Sequence, residues 1–200
     1  MEPSRNKNGM PGLSQLWLTG LTVPARAFRA LRSLKSPLWG FLVVLVANLA
    51  ISATTLLAQV LLGRPPLMES WLTFLPAKDY LFAEMFFLPP LRVLVWLMGA
   101  AVVHLGLRLA GSRSDMDRLL NIGGVGYLVV TPFILATDWV LVGLDAYGLA
   151  TFTHPLALLW GAVLSVVGLR TLLATRTALA VSLTVLSSAA GIAFLAIFAR

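Results

Sequence analysis

The chain has no cysteine among its 200 residues, and charged residues make up only 12% of it. Without cysteine it cannot form a disulfide, a thiolate metal site or a palmitoyl anchor, and its redox compartment cannot be read from the sequence. In soluble domains, about a quarter of the residues are charged. The few charges here fall mostly in short stretches between long apolar runs, which excludes an ordinary soluble domain.

Motifs for catalysis and phosphate binding are also missing. The sequence has no Ser-His-Asp spacing, no HExxH and no glycine-rich phosphate loop followed by a lysine. Residues 123–126 read GGVG, but this stretch follows no strand and opens an apolar run, so it is a weak phosphate-loop match. His154 has no partner at metal-ligand spacing. We therefore expect no enzymatic activity, no metal and no cofactor.

Long apolar runs are what the chain does contain. Residues 38–62 carry no charge over 25 positions, and four further apolar runs follow. Crossing a hydrocarbon core of about 30 Å takes about twenty residues at 1.5 Å each, and backbone in lipid must pair internally as helix. The sequence predicts an all-α polytopic membrane protein. Its five-helix transmembrane domain, residues 38–200, has spans at about 38–62, 86–107, 122–144, 155–175 and 178–199.

The basic residues predict the orientation of these spans. With five spans, eleven of them fall in segments that share one side, and three fall on the other side. The eleven are Arg5, Lys7, Arg26, Arg29, Arg32, Lys35, Arg108, Arg113, Arg118, Arg170 and Arg176; the three are Arg64, Lys78 and Arg200. Because cytoplasmic loops are enriched in Lys and Arg, we expect a cell-membrane protein with a cytoplasmic N-terminus and an outside C-terminus. This topology explains the net charge of +7 without a nucleic-acid partner.

Residues 1–37 form a predicted cytoplasmic segment with one amphipathic helix at about 24–36. Arg26, Arg29, Arg32 and Lys35 recur every three residues, and apolar residues occupy much of the remaining helix surface. Such a helix is expected to lie in the membrane interface with its basic side chains toward anionic lipid headgroups. The alternative is that these charges only orient the first span.

Apart from Arg170 near the inner end of the fourth span, two charged side chains fall inside the predicted spans, Arg92 and Asp138. A charge at mid-bilayer costs at least about 2.5 kcal/mol, so each should be paired, snorkelled or functional. Both are expected about six residues from the outer ends of their spans, or about 9 Å deep, where they can form an intramembrane ion pair. The pair is either a structural clasp or part of a proton or solute pathway. Pro132 leaves the Leu128 carbonyl without its helical partner and predicts a kink in the third span.

The order of these elements resembles that of the Yip domain family, named for Ypt/Rab-interacting proteins. The resemblance covers about residues 24–199 and starts with the basic segment PARAFRALRSLKSPLW. It continues with the stretches HLGLRLAGSRSDMDRLLNIGGVGYLVVTPFIL and HPLALLWGAVLSVVGLRTLLATRTALAVSL. The positions that carry the pattern are Gly126, Tyr127, Pro132, Trp160, Gly168 and Arg170. The resemblance implies five spans and a cytoplasmic N-terminus. The composition, rich in Arg and poor in Lys, is more similar to that of a bacterial or archaeal member of the family than to that of a eukaryotic one.

The resemblance also bears on function. Eukaryotic relatives are Golgi and transport-vesicle proteins that bind small GTPases and shape or sort membranes. This chain lacks their long cytoplasmic N-terminal region, so GTPase binding is not carried over to it. We predict a non-catalytic organiser of membrane or partner proteins that contacts the bilayer, anionic headgroups and other membrane proteins, with a homo-oligomer left open.

The alternative is a small transporter or channel that uses Arg92, Asp138 and the kink at Pro132. A water-filled cavity that reaches Asp138 would favour the transporter, and a dry bundle would favour the organiser.

Overall fold

The structure is a computed structural model that describes residues 12–34, 36–64, 66 and 75–198. Every regular element in these ranges is a helix. Two short helices come first, α1 (Leu13–Thr22) and α2 (Pro24–Ala30). Five helices follow that are long and apolar enough to cross a membrane. The predicted all-α fold with five transmembrane helices is confirmed, and the chain is a multi-pass membrane protein.

The five spans extend beyond the predicted apolar runs at several ends. They are Leu38–Leu61, Ala77–Leu109, Met116–Gly143, Tyr147–Leu173 and Thr177–Phe198. The second span begins at Ala77 rather than near 86, so Pro89 and Pro90 lie inside its helix instead of at its start. Prolines are tolerated inside membrane helices because neighbouring groups can satisfy the freed carbonyls. The fourth span begins before Pro155, which brings His154 into the span.

Consecutive spans run in opposite directions, so their connections lie at two ends of a bundle. We call the end that holds residues 110–115 and 174–176 the near end, and the end that holds residues 144–146 the far end. The third span packs against the first, second and fourth spans, whereas the fifth packs against the second and fourth. Half of the third span's apolar window is buried, compared with 22% for the fourth and fifth. The third span is therefore the centre of the bundle.

The first and third spans cross in direct backbone contact at the near end. A Cβ atom on Gly124 would lie 2.6 Å from the Cα of Gly40, so a side chain at either position would force the two helices apart. Asn121 bridges this crossing, since its Oδ1 accepts from the Gly40 N–H at 3.1 Å and its Nδ2 donates to the Ser36 carbonyl at 3.0 Å. Small residues and interhelical hydrogen bonds are what membrane helices use to associate in lipid.

α1 runs antiparallel along the third span, and α2 continues toward the near end against the fourth span. Trp17 of α1 stacks on Phe133 with ring centroids 6.0 Å apart, and Gly20 lies against Val129. Further along, the ring of α2 residue Phe28 lies beside the position of Ile122. Because the contacts step down the third span as the chain advances, the N-terminal helices follow its length toward the near end.

α2 docks on the fourth span at Gly168. Phe28 is 0% exposed, and a Cβ atom on Gly168 would lie 3.0 Å from its ring. Ala27 and Leu31 are buried as well. The observed helix α2 differs from the predicted amphipathic helix in two respects. It ends at Ala30 rather than at about residue 36, and its apolar residues belong to the protein core rather than resting on lipid. The glycine explains this, since it opens a space into which the aromatic ring fits.

The outer surface of the bundle is apolar. The fourth span, for example, exposes Phe152, Leu156, Leu159 and Val163 at helical spacing. Such a stripe would be an aggregation hazard in water, but in a bilayer it is the surface that lipid chains cover.

Candidate functional site

A buried polar cluster lies in the far half of the bundle. Its centre is Asp138, which is 0% exposed and lies near the end of the third span. Asp138 Oδ1 is 2.8 Å from His154 Nε2, and Asp138 Oδ2 accepts a hydrogen bond from the Thr55 hydroxyl at 3.3 Å. The first, third and fourth spans thus meet on one carboxylate.

Two more polar side chains complete this far-end cluster, which we define as Thr55, Gln59, Asp138, Tyr147 and His154. The Tyr147 ring meets the His154 ring edge-on, with centroids 6.4 Å apart. Gln59 is 2% exposed, and its amide lies beside the Tyr147 hydroxyl. The cluster is therefore a group of neighbouring polar side chains around one buried carboxylate.

The backbone of the first span changes where it supplies Thr55. Residues Ser52–Leu56 form a π-turn inside an otherwise α-helical span. Single π-turns inside α-helices occur frequently at functional sites, and nothing in the local sequence pattern predicted this one. It includes Thr55, whose hydroxyl reaches Asp138.

Arg92 does not form the predicted ion pair. The ion pairs found among the described residues do not include Arg92 with Asp138, and Arg92 Nη1 instead lies 3.5 Å from Asn48 Oδ1. Asn48 is 1% exposed and donates its own Nδ2 to the Val44 carbonyl at 2.8 Å. Arg92 therefore belongs to a polar contact deeper in the bundle than the far-end cluster.

Depth explains why Arg92 and Asp138 do not meet. Trp96 of the second span lies against Gly123, so Arg92, one turn toward the far end, lies close to the level of Tyr127. From Tyr127 to Asp138 there are eleven residues, a rise of about 16 Å along the third span. The predicted equal depth assumed a second span that begins near residue 86, nine residues later than it does.

The Asp138–His154 contact permits two chemical roles. A carboxylate and an imidazole 2.8 Å apart can share a proton, and they can also serve as a structural clasp. The Asp138 side chain is 1% exposed and that of His154 is 32% exposed. A cleft among the described residues lies at the near end and includes no member of the cluster.

The far end also holds a paired arginine. Arg64, just beyond the first span, lies 2.7 Å from Asp145 Oδ1 and donates to the Val142 carbonyl at 2.9 Å. These contacts tie the first span to the turn after the third span, so the charge of Arg64 is matched within the protein.

Most arginines at the near end have no acidic partner. Arg118 pairs with Asp115 at 3.2 Å, but the other near-end arginines of the described ranges are exposed and enter no ion pair. We call this set the near-end arginine face; it consists of Arg26, Arg29, Arg32, Arg108, Arg113, Arg170 and Arg176. Lys35, the fourth predicted headgroup contact, lies outside the described residues.

Two arginines bind the carbonyl end of the fourth span. Arg32 Nη2 donates to the Thr171 carbonyl at 3.1 Å, and Arg118 Nη1 donates to the Leu172 carbonyl at 3.2 Å. Cations are favourable there because the C-terminal end of a helix carries partial negative charge. These contacts hold the turn after α2 and the start of the third span against the fourth span.

The family-pattern positions divide between the core and the surface. Gly168 is the docking point of α2, and Arg170 is part of the near-end arginine face. Tyr127 is half-buried next to Arg92 and Asn48. Gly126 has open space around it, while Pro132 and Trp160 are exposed.

The five-span helical bundle defines a multi-pass membrane protein. The family model of the Yip1 domain matches residues 20–198, so the chain belongs to the Yip1 domain family. The match runs from the last turn of α1 to the end of the fifth span. No curated protein and no solved structure matches the chain at a significant level.

His154 and the π-turn are the features that the sequence did not reveal. The predicted fourth span starts at about residue 155, so the sequence places His154 just outside the membrane. The sequence did contain one signal for this pair. Asp138 lies near the end of the third span and His154 near the start of the fourth, so both lie close to the same end of the bundle.

Proposed function

We propose that this protein is a non-catalytic membrane organiser whose near-end arginine face holds anionic lipid headgroups and thereby positions membrane or partner proteins. The observation that carries the proposal is the contrast within α2: Arg26 and Arg29 are exposed, whereas Ala27 and Phe28 are buried in the bundle. The arginines are thus held on a fixed frame and point away from it.

Charge at the near end supports an anionic partner. Among the described near-end residues, the acidic side chains are Asp115 and Asp117, and Asp115 is already paired with Arg118. Each Lys or Arg near an anionic membrane surface contributes about 1 kcal/mol of attraction. Guanidinium groups add bidentate hydrogen bonds to phosphate, which an ammonium group cannot match.

The fixed frame also favours binding. Since Phe28 and Leu31 are already buried in the protein, α2 does not have to fold or insert when headgroups bind. A binding surface that is ordered beforehand loses less conformational entropy on association.

Burial at the centre of the far-end cluster favours the organiser over the transporter. Asp138 and Thr55 are 0% exposed. A translocation pathway needs an opening to this carboxylate, and the carboxylate is buried behind His154, whose side chain is 32% exposed.

The proposed function also requires a particular orientation of the bundle in the membrane. We infer that the near end faces the cytoplasm, because it carries most of the basic residues and short cytoplasmic loops are enriched in them. With no native cysteine, single cysteines at Ser112 (near end) and Gly148 (far end) can be probed in intact cells with an impermeant thiol reagent. We expect label at 148 only, and label at 112 would reverse the orientation.

The organiser role is tested by purification from native membranes without detergent, followed by identification of the lipids and proteins that co-purify. The variant with Arg26, Arg29 and Arg32 changed to Gln should lose anionic lipid relative to wild type. The matched control changes the same three residues to Lys, keeps the charge and should retain most of that lipid. Equal lipid composition for wild type and the Gln variant would reject the proposal.

The Asp138–His154 contact supports one second candidate, a proton-linked transporter. A buried carboxylate next to an imidazole can exchange a proton during transport. The test is proton uptake into proteoliposomes that contain a pH-sensitive dye. Uptake that disappears in Asp138→Asn would favour the transporter, and no uptake above empty liposomes would favour the organiser.

A further inference from the structure

A cleft opens at the near end between α2 and the turn that joins the fourth and fifth spans. Its volume is about 560 Å³, and it is lined by Ala25, Val167, Arg170, Thr171, Ala174 and Thr175. The turn is tight, since Ala174 takes a left-handed conformation with φ 52°. This conformation brings the end of one membrane helix next to the beginning of the next.

Thr175 is the first sign that the cleft binds a ligand. It is only 7% exposed, and its hydroxyl has no hydrogen-bond partner in the described part of the chain. Buried hydroxyl groups in native proteins nearly always have a partner, so an unpaired one next to a cleft favours a ligand that supplies it. The hydroxyl oxygen is enclosed in the present rotamer, and a change of χ1 rotamer, which does not move the backbone, is needed to turn it into the cleft.

The fifth span begins directly after this hydroxyl. Thr177 is its first helical residue, so the first backbone N–H groups of a 22-residue helix lie next to Thr175. Such N–H groups have no partner within the helix and carry partial positive charge, which suits an anion with several acceptor oxygens.

The neighbouring cations complete the electrostatics. Arg170 lines the cleft, is exposed and forms no ion pair with any described residue. The carbonyl end of the fourth span, which would repel an anion, is covered by the guanidinium groups of Arg32 and Arg118. The cleft is therefore lined by a guanidinium group and by Thr175, the fifth span begins two residues beyond its wall, and the partial negative charge of the fourth span is covered.

We propose that this cleft binds a phosphoryl group, supplied by the phosphodiester of an anionic phospholipid. Ala25 and Val167 form an apolar part of the wall, which fits the glycerol end of a lipid better than a free ion. The site deepens the proposed function and rests on it, because it makes one part of the near-end arginine face a specific site. A free phosphate ion offers the same oxygens and is the other source of this chemistry.

The test measures binding to the purified full chain in a neutral detergent. The probes are dioctanoyl phosphatidylglycerol, dioctanoyl phosphatidylcholine and inorganic phosphate. We expect the anionic lipid to bind more tightly than the neutral one. Inorganic phosphate that displaces the anionic lipid at similar concentration would support a phosphoryl site whose natural source is the free ion.

Two variants probe the cleft, and each has a matched control. Arg170→Gln should raise the Kd for the anionic lipid about tenfold, because it removes a hydrogen bond between a charged donor and the phosphoryl group. Thr175→Val should raise this Kd about threefold, because it removes a weaker hydrogen bond from a neutral hydroxyl. The controls are Arg64→Gln, an arginine at the far end of the bundle, and Thr184→Val, a buried unpaired hydroxyl elsewhere on the fifth span. Both controls should bind within twofold of wild type.

Stability without lipid separates a binding role from a structural role. Because the Thr175 hydroxyl has no protein partner, Thr175→Val should unfold at the same temperature as wild type when lipid is absent. It should lose only the stabilisation that added lipid provides. A lower unfolding temperature without lipid, with unchanged lipid affinity, would overturn the site.

The outcome also separates this site from the wider proposal. If both cleft variants bind like wild type while the Arg26, Arg29 and Arg32 Gln variant still loses anionic lipid, the cleft is rejected and the arginine face stands. If all of these variants retain wild-type lipid binding, both proposals are rejected.

Discussion

The charged side chains at one end of the bundle have partners within the protein, whereas most of those at the other end do not. At the far end, Asp138 is buried against His154 and Thr55, and Arg64 is matched by Asp145. At the near end, seven arginines are exposed and enter no ion pair with described residues. Charge that is matched inside the protein can hold helices together, whereas unmatched charge on the surface is available to something outside it.

The difference has an energetic basis. A buried charge must recover its lost solvation through its partners, so a far-end group should be sensitive to the loss of a partner. An exposed arginine keeps its solvation and contributes little to folding. Stability should therefore depend on the far end, and binding should depend on the near end.

The largest expected effect is on stability, from Asp138→Ala. Removing the carboxylate leaves His154 and Thr55 without their acceptor and should lower the free energy of unfolding by about 3 kcal/mol. The matched control is Asp145→Ala, whose side chain is 86% exposed and which should cost under about 1 kcal/mol. Unfolding in mixed detergent and SDS micelles measures both, and equal costs would break the comparison.

The next effect tests whether α2 is truly held on the bundle. Gly168→Val should press on Ile122 of the third span as well as on the Phe28 ring, and should weaken the docking of α2 by about 2 kcal/mol, as overpacking does in tight contacts. A cysteine at Ala27, which is 1% exposed in the native chain, reports the release through its rate of thiol labelling.

The control for this experiment is Gly126→Val, because Gly126 has open space around it. Labelling at position 27 should speed up about thirtyfold with Gly168→Val, the rate equivalent of 2 kcal/mol, and should not change with Gly126→Val. Similar rates for both variants would mean that α2 is not held at Gly168.

A smaller effect distinguishes the partners of Asp138. A double-mutant cycle between Asp138→Asn and His154→Gln should show a coupling of about 1 kcal/mol, because the two side chains are in contact. The cycle between Asp138→Asn and Arg92→Gln should be additive to within about 0.5 kcal/mol, because Arg92 contacts Asn48 instead. The reverse result would restore the ion pair that the sequence predicted.

Much of the fold could be read from the sequence, since five apolar runs give five spans. Apolar runs of this length are rare outside membrane spans, and backbone in lipid must form its hydrogen bonds internally, which a helix does. The near-end arginines could also be located, because they lie in connections whose side follows from the span count.

The helix ends and the helix contacts could not be read in the same way. Pro89 and Pro90 suggested a helix start, yet the helix runs through them, and this shifted the expected depth of Arg92. The docking of Phe28 depends on a gap at Gly168, more than a hundred residues away. Such contacts depend on how helices rotate and cross, which local periodicity does not determine.

The docking of α2 also changes how the near end should be studied. A peptide of residues 22–37 would expose Phe28 and Leu31, which are buried in the intact protein. Its affinity for vesicles would include insertion of these apolar residues, so only the full chain tests the arginines themselves.

The most direct test of the central claim is the lipid selectivity of the full chain in vesicles of defined composition. Spin-labelled phosphatidylglycerol and phosphatidylcholine report how strongly each lipid associates with the protein. The wild type should favour the anionic lipid by at least about threefold at low salt, and this preference should fall as salt screens the arginines. The variant with Arg26, Arg29 and Arg32 changed to Gln should show little preference at any salt concentration. Equal selectivity in both proteins, or a preference that ignores salt, would contradict the account.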